Sequence, residues 1–144
     1  MASTNHITLH WLGQMAFEST NPSGKTFRID ASPQDGGEGS GLRPKALMLS
    51  SLAGCSALDI AAMIRKMKLE VAEFRVEVLG DLSDTSPQTY EKVRVAYHFT
   101  GSELNEKKLQ RAVDLSVEKY CGVILMFREF AALEFTTHFH GAEA

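Results

Sequence analysis

Cysteine, proline and tryptophan are all scarce in this 144-residue chain, which has two, four and one of them. The two cysteines stand 66 positions apart (121 − 55), so they form neither a CxxC redox pair nor the paired ligand spacing of a zinc site. In a reducing compartment they are expected to rest as thiols, without a lasting structural disulfide. Excess charge of one sign is missing too: a net charge of −3 leaves no basic footprint for nucleic acid. The start, "MASTNHITLHW", lacks the basic residues and apolar run of a secretory signal, and a cytoplasmic protein is expected. The glycine-rich stretch "SPQDGGEGSG", residues 32 to 41, is not followed by GK[ST], so it reads as a connector or lid rather than a phosphate loop. No uninterrupted membrane span is present either. The most apolar stretch, Ala46 to Ile64, is broken by Ser50, Ser51, Gly54, Ser56 and Asp59, and an internal helix is expected instead of a membrane segment.

What is present is an ordinary globular composition, 44% hydrophobic and 23% charged, and one domain over residues 1–144 is expected. "HITLHWLGQMAFESTNPSGKTFRIDAS" alternates as two or three short antiparallel strands with turns at Gly13 and "NPSG". Pro44 suits the first turn of a long helix reaching about Lys68. "AEFRVEVLGDL" and "TYEKVRVAYHFTG" alternate as a hairpin that puts Phe74, Val76, Val78, Val93, Val95, Tyr97 and Phe99 inward. Asn105 caps a second helix whose buried stripe is Leu109, Ala112, Val113, Ser116, Val117 and Tyr120, with Cys121 at its end. "VILMFREF" reads as a short helix or turn, and "LEFTTHFH" as a last strand with His138 and His140 outward. That order gives an α+β domain. The first helix is apolar almost all round, and one small antiparallel sheet covers only one of its sides. A closed homodimer, with sheets wrapped around paired helices, would cover the rest.

The two thiols have a plain reading as small core hydrophobes. Cys121 also precedes a glycine at a helix break; if a helical turn starts there, its sulfur lies near unpaired backbone N–H groups that favour the thiolate. A redox reading needs one thiol that reacts with oxidant and a second within reach of it. Candidate cations to lower the first thiol's pKa are Arg28, Arg43 and Lys45, all ahead of Cys55. Asp59, four residues after Cys55, needs a partner inside an apolar stretch, and an ion pair with a lysine or arginine is expected. His6 with His10, and His138 with His140, share strand faces a metal could use. With no cysteine or carboxylate at ligand spacing, they read as edge or surface residues.

The stretch "RPKALMLSSLAGCSALDIAAMIRKMK" resembles the first-cysteine helix of the OsmC/Ohr family, and "LQRAVDLSVEKYCGVILMF" resembles its second-cysteine segment. The resemblance covers essentially the whole chain. It implies an OsmC-like fold, with antiparallel sheets wrapped around central helices in an intertwined homodimer whose active sites lie at the subunit interface. It further implies a peroxidase of organic, often fatty, hydroperoxides, with Cys55 attacking the peroxide and Cys121 resolving the sulfenate. The implied reductant is a small dithiol or a lipoyl-type carrier, and no metal, haem or flavin is required. The family holds its reactive thiolate with an arginine, for which Arg28 in "FRID" is the best match and Arg43 the second, and often with a glutamate. Here Lys45 in "RPKAL" occupies the glutamate's place, and Glu118 in "EKYC" offers a carboxylate near Cys121. Met48, Met63, Met67, Met126 and Phe127 would give an apolar substrate a dry pocket or simply fill core. The rival to the enzyme is a dimer of the same fold that binds an apolar ligand or senses redox state, and the absent glutamate favours it. A disulfide-handling oxidoreductase is a third reading.

Overall fold

The computed structural model describes residues 2–141 and divides into two compact units, one ending at Met48 and the other beginning at Leu49. In the first unit, β1 (Leu9–Gly13), β2 (Ala16–Ser19) and β3 (Phe27–Ile29) form the expected antiparallel meander. Gly13, at φ +105°, starts the first turn, a backbone conformation open to glycine and strained for other residues. The Trp11 indole N–H closes that turn by donating to the Gln14 carbonyl at 2.8 Å.

The glycine-rich stretch is better built than a free connector. The buried Asp30 carboxylate accepts from the backbone N–H groups of Glu38 (3.2 Å) and Ser40 (3.0 Å) and from the Ser40 hydroxyl (2.7 Å). These bonds, the Ser40 hydroxyl first among them, hold the Asp30 carboxyl below its usual range. A side chain on Gly37 would sit 2.0 Å from the Ala31 carbonyl oxygen, and one on Gly41 would sit 2.6 Å from that of Arg28. The glycines therefore allow close backbone packing around a buried carboxylate.

Helix α1 (Pro44–Lys66) runs for 23 residues and ends with Arg65 and Lys66, cations suited to a helix C-terminus. Lys68, at φ +54°, turns the chain out of it. By length and composition it could cross a membrane, and only 17% of its most apolar window is buried.

The second unit is built on β5 (Tyr90–Gly101), flanked by β4 (Glu73–Leu82) and β6 (Ala132–Gly141). β4 and β5 form the expected hairpin, but β6 pairs with β5 in parallel, Val95 opposite Phe135 and His98 opposite His138. The sheet is thus mixed rather than antiparallel. The connection through α2 (Glu106–Leu115), a π-helical turn (Ser116–Tyr120) and α3 (Gly122–Arg128) is long enough for the crossover that a parallel pair requires. Asn105 caps α2 as expected, accepting from the Lys108 N–H at 3.1 Å. The core gathers Val93, Val95, Tyr97 and Phe99 from β5 with apolar residues of the three helices, Leu52, Ile60, Leu109, Val113, Ile124 and Phe127 among them. Tyr120, expected on the buried stripe, is 52% exposed because the wider π turn carries it off the helical face.

The outer face of this sheet carries a histidine cluster. His98 Nε2 lies 3.0 Å from Glu77 Oε1, and His98 Nδ1 lies 2.9 Å from His140 Nε2, with the His138 ring stacked at 4.6 Å. Strand spacing found His138 and His140, and the parallel register adds His98. Among the described residues, no three His, Cys, Asp or Glu side chains are grouped to hold a metal ion. The bonds fit a neutral His98 that donates from Nε2 to Glu77 and accepts at Nδ1 from His140. Burial first, then the Arg75 charge and the His138 ring, lower the His98 pKa, against the opposing pull of Glu77. The unfolded chain therefore binds this proton more readily, and the stabilising contribution is complete above the unfolded pKa of about 6.5. It is lost as pH falls through that value toward the folded one. Urea midpoints should decline from pH 7 to pH 5 in the parent and decline less in His98→Gln; identical slopes would refute the assignment.

Candidate functional site

Cys55 lies in the middle of α1, half-buried, and Cys121 follows the π turn, 4% exposed; both are free thiols. The π turn positions Cys121. Its N–H reaches back five residues to the Ser116 carbonyl at 2.9 Å, and its extended backbone (φ −84°, ψ 104°) makes it the N-cap of α3. There its Sγ accepts from the Ile124 N–H at 3.4 Å, the backbone donor expected at a new helical start. The same sulfur feels the neighbouring Cys55 thiol, so the fold brings the two cysteines into one neighbourhood. Burial, reinforced by the neighbouring Cys55, outweighs the Ile124 N–H and raises the Cys121 pKa to about 11.

Beside the thiols runs a chain of hydroxyls. Tyr97 Oη lies 2.7 Å from Ser56 Oγ, Ser56 Oγ lies 2.8 Å from Ser116 Oγ, and Ser116 Oγ donates to Asp59 Oδ2 at 3.0 Å. Ser56, Tyr97 and Ser116 are each fully buried. Among the described residues Asp59 forms no ion pair; the partner expected to be a cation is the Ser116 hydroxyl, which satisfies the carboxylate without burying a second charge. Asp59 also borders a cleft of about 440 Å³ with Met63, Met67, Lys66, Arg111 and Tyr120.

The remaining sequence-derived candidates belong to both units. Arg28 is exposed on β3 and donates to Ser40 Oγ at 3.4 Å; Arg43 is exposed just before α1, and Lys45 is exposed in its first turn. All three belong to the first unit. Glu118 is exposed in the π turn and borders, with Cys121 and Arg128, a cleft of about 150 Å³. Met63 and Met67 line the larger cleft, which Asp59, Lys66 and Arg111 make a charged rather than a dry pocket, whereas Met48 and Met126 are exposed and Phe127 is core. Sequence reading missed Arg128, whose Nη2 donates to the Val117 carbonyl at 3.1 Å beside Cys121. It also missed Tyr97, Ser56 and Ser116 as a group. The available signal was three hydroxyls on three faces each expected to be buried, where each needs a partner.

A half-accessible thiol beside a buried one is a pair that an oxidant can join as a disulfide. Residues 37–135 match the OsmC-like protein family. The chain is 28% identical over 119 residues to Protein YhfA of Escherichia coli, covering 83% of this chain and 86% of that protein. The crystal structure of a hypothetical protein from Aquifex aeolicus VF5 superposes with a TM-score of 0.85 at 26% identity, covering 99% of this chain and all of that one. The organic hydroperoxide resistance protein OhrB of Bacillus subtilis shares the fold, with a TM-score of 0.64 at 18% identity over 94% of this chain and 98% of its own. With the matched segment spanning well over half the sequence, the chain belongs to the OsmC-like family.

Proposed function

We propose that this protein is a stress-related thiol peroxidase that reduces organic hydroperoxides in the cytoplasm, with Cys55 as the attacking thiol and Cys121 as the resolving one. The observation that carries the reading is a half-buried thiol neighbouring a buried one, both reduced. The Cys55 thiolate attacks the terminal peroxide oxygen, the O–O bond breaks, and the alkoxide leaves as the alcohol after taking a proton. The sulfenic acid on Cys55 is then attacked by Cys121: an S–S bond forms, the S–O bond breaks and water departs. A dithiol or lipoyl-type carrier reduces the disulfide and is itself oxidised. The chemistry draws on no metal or organic cofactor. Family membership and the shared fold of OhrB support the assignment.

The working unit in this reading is a homodimer. α1 buries Leu52, Ser56 and Ile60 within the chain, yet leaves Leu58 73% exposed on the opposite side. Gly54, on that open side, costs helix stability, and a side chain built there meets nothing within 4 Å. Close approach of a partner helix explains both features.

A second reading, retention of an apolar acid, rests on the cleft that combines Met63, Met67 and Leu115 with Lys66 and Arg111. A mass-spectrometric thiol count on reduced protein, before and after one equivalent of cumene hydroperoxide with hydrogen peroxide in parallel, separates the two. Rapid loss of both thiols into a Cys55–Cys121 disulfide, faster with the organic peroxide, supports the peroxidase. Two thiols still free after minutes would leave the binding reading.

A further inference from the structure

We propose that Ser116 is the positioning residue of the resolving step: its hydroxyl locks onto the turn of α1 that carries Cys55, while its carbonyl holds the backbone of Cys121. The proposal rests on the pairing of the two cysteines in the peroxidase reading, and it concerns what sets their relative placement.

Each link is a hydrogen bond. On one side, the Cys121 N–H donates to the Ser116 carbonyl at 2.9 Å, across the π turn. On the other, Ser116 Oγ lies 2.8 Å from Ser56 Oγ and donates to Asp59 Oδ2 at 3.0 Å, both on α1. Ser56 is the residue after Cys55, and Asp59 lies one turn further along the helix. A carboxylate only accepts and a hydroxyl has one proton to give, so Ser116 accepts from Ser56, and Ser56 accepts from Tyr97 at 2.7 Å. β5 thereby fixes the Ser56 hydroxyl as well.

A serine within a helix ordinarily turns its hydroxyl back to its own i−4 carbonyl; Ser116 instead spends it on α1, earlier in the chain by 57 to 60 positions. Ser56 and Ser116 are both fully buried, so water does not compete for these bonds, and the one to the carboxylate is charge-assisted. Apolar packing between α1 and the π turn tolerates small slips, whereas hydrogen bonds weaken steeply with misalignment. A disulfide needs its Cα atoms about 4.4–6.8 Å apart, so the register of these two segments decides how readily the pair joins. An alanine at position 116 would keep the carbonyl and the packing but release that register.

A glutathione titration reads the register without peroxide. The Cys55 thiolate opens oxidised glutathione, giving a mixed disulfide and one glutathione thiolate. Cys121 loses its proton to solvent and attacks the Cys55 sulfur; the protein S–S bond forms, the mixed one breaks and the second glutathione thiolate leaves. Two electrons pass to glutathione, whose two thiolates take up the two protons lost by the protein. The fraction of Cys55–Cys121 disulfide, counted by mass spectrometry after the free thiols are alkylated, gives the equilibrium constant. In Ser116→Ala that constant should fall about tenfold or more, which raises the potential of the pair by at least about 30 mV. Ser116→Thr, which keeps the hydroxyl, should recover part of it. Val93→Ala, a buried truncation on β5 outside the clamp, should lower the urea midpoint yet leave the constant within about twofold of the parent, which separates positioning from general loosening. If Ser116→Ala does not fold, Asp59→Ala decides, because Asp59 is only half-buried; a fall of about threefold or more is expected there. A constant unchanged or shifted toward the disulfide would overturn the proposal, as would a fall no larger than that in Val93→Ala, or a parent that forms no Cys55–Cys121 disulfide. A parent that forms it with glutathione but not with cumene hydroperoxide would defeat the peroxidase reading, and the clamp would then stand or fall on the same comparison of variants.

Discussion

Replacing Cys55 by serine should reduce organic-peroxide consumption to the rate of the buffer, a loss of three orders of magnitude or more on the scale of covalent catalysis, about 10³. Cys121 cannot take over. It is 4% exposed, and with a pKa near 11 only about one molecule in ten thousand carries its thiolate at pH 7. Cys121→Ser should behave differently. Cys55 still meets the peroxide and forms a sulfenic acid, but with no second thiol to condense with it goes on to the sulfinic acid as peroxide is added. Mass spectra of the two variants after cumene hydroperoxide therefore discriminate: an unmodified Cys121 in Cys55→Ser, and a doubly oxygenated Cys55 in Cys121→Ser. Oxidation of Cys121 first, or equal reactivity of the two variants, would reverse or dissolve the assigned roles. In Cys55→Ser, Cys121 also loses the thiol that helps to raise its pKa. Burial remains as the larger cause, so the variant stays unreactive.

Much of this arrangement is legible in the sequence because it follows from periodicity. Alternation at Val93, Val95, Tyr97 and Phe99 marks the buried face of β5, and Asn105 marks the start of α2. Alternation carries no strand direction, so the parallel pairing of β6 escapes it; that depends on where a long crossover delivers the chain. The π turn escapes for a related reason. A pattern read at 3.6 residues per turn places Tyr120 inward, and only the bond from the Cys121 N–H to the Ser116 carbonyl reveals the wider turn that exposes it. Asp59 shows the limit for electrostatics: its charge in an apolar helix announces a partner, but whether that partner is a cation or a hydroxyl depends on what α2 and the π turn place opposite. The glycine-rich stretch shows a comparable limit, since the buried carboxylate that organises it belongs to Asp30, two residues before it begins.

Leu58→Glu should convert the proposed homodimer into monomers that remain folded. Ser56 faces the core, and Leu58, two residues on, points about 200° around the helix from it, into the exposed side. In the isolated chain a glutamate at a site 73% exposed costs almost nothing and removes an apolar patch from water. Across a two-fold interface the substitution acts twice: each copy forfeits about 1.5–3 kcal/mol of leucine burial and must also strip water from a carboxylate. Two such losses of leucine burial, about 3–6 kcal/mol together, weaken association by about 10²–10⁴-fold before the carboxylate is counted, which moves a dimer of nanomolar Kd toward monomer within a dilution series that starts at micromolar concentration. Light scattering across a dilution series reads the mass, and circular dichroism confirms that the monomer is folded. A parent already monomeric at micromolar concentration, or a variant that stays dimeric, would remove the homodimer from the proposed function. The variant also separates two contributions to catalysis. Cys55 and Cys121 both come from one chain, so oxidative closure of the disulfide should persist in the monomer. Peroxide consumption should fall if the partner subunit completes the substrate pocket.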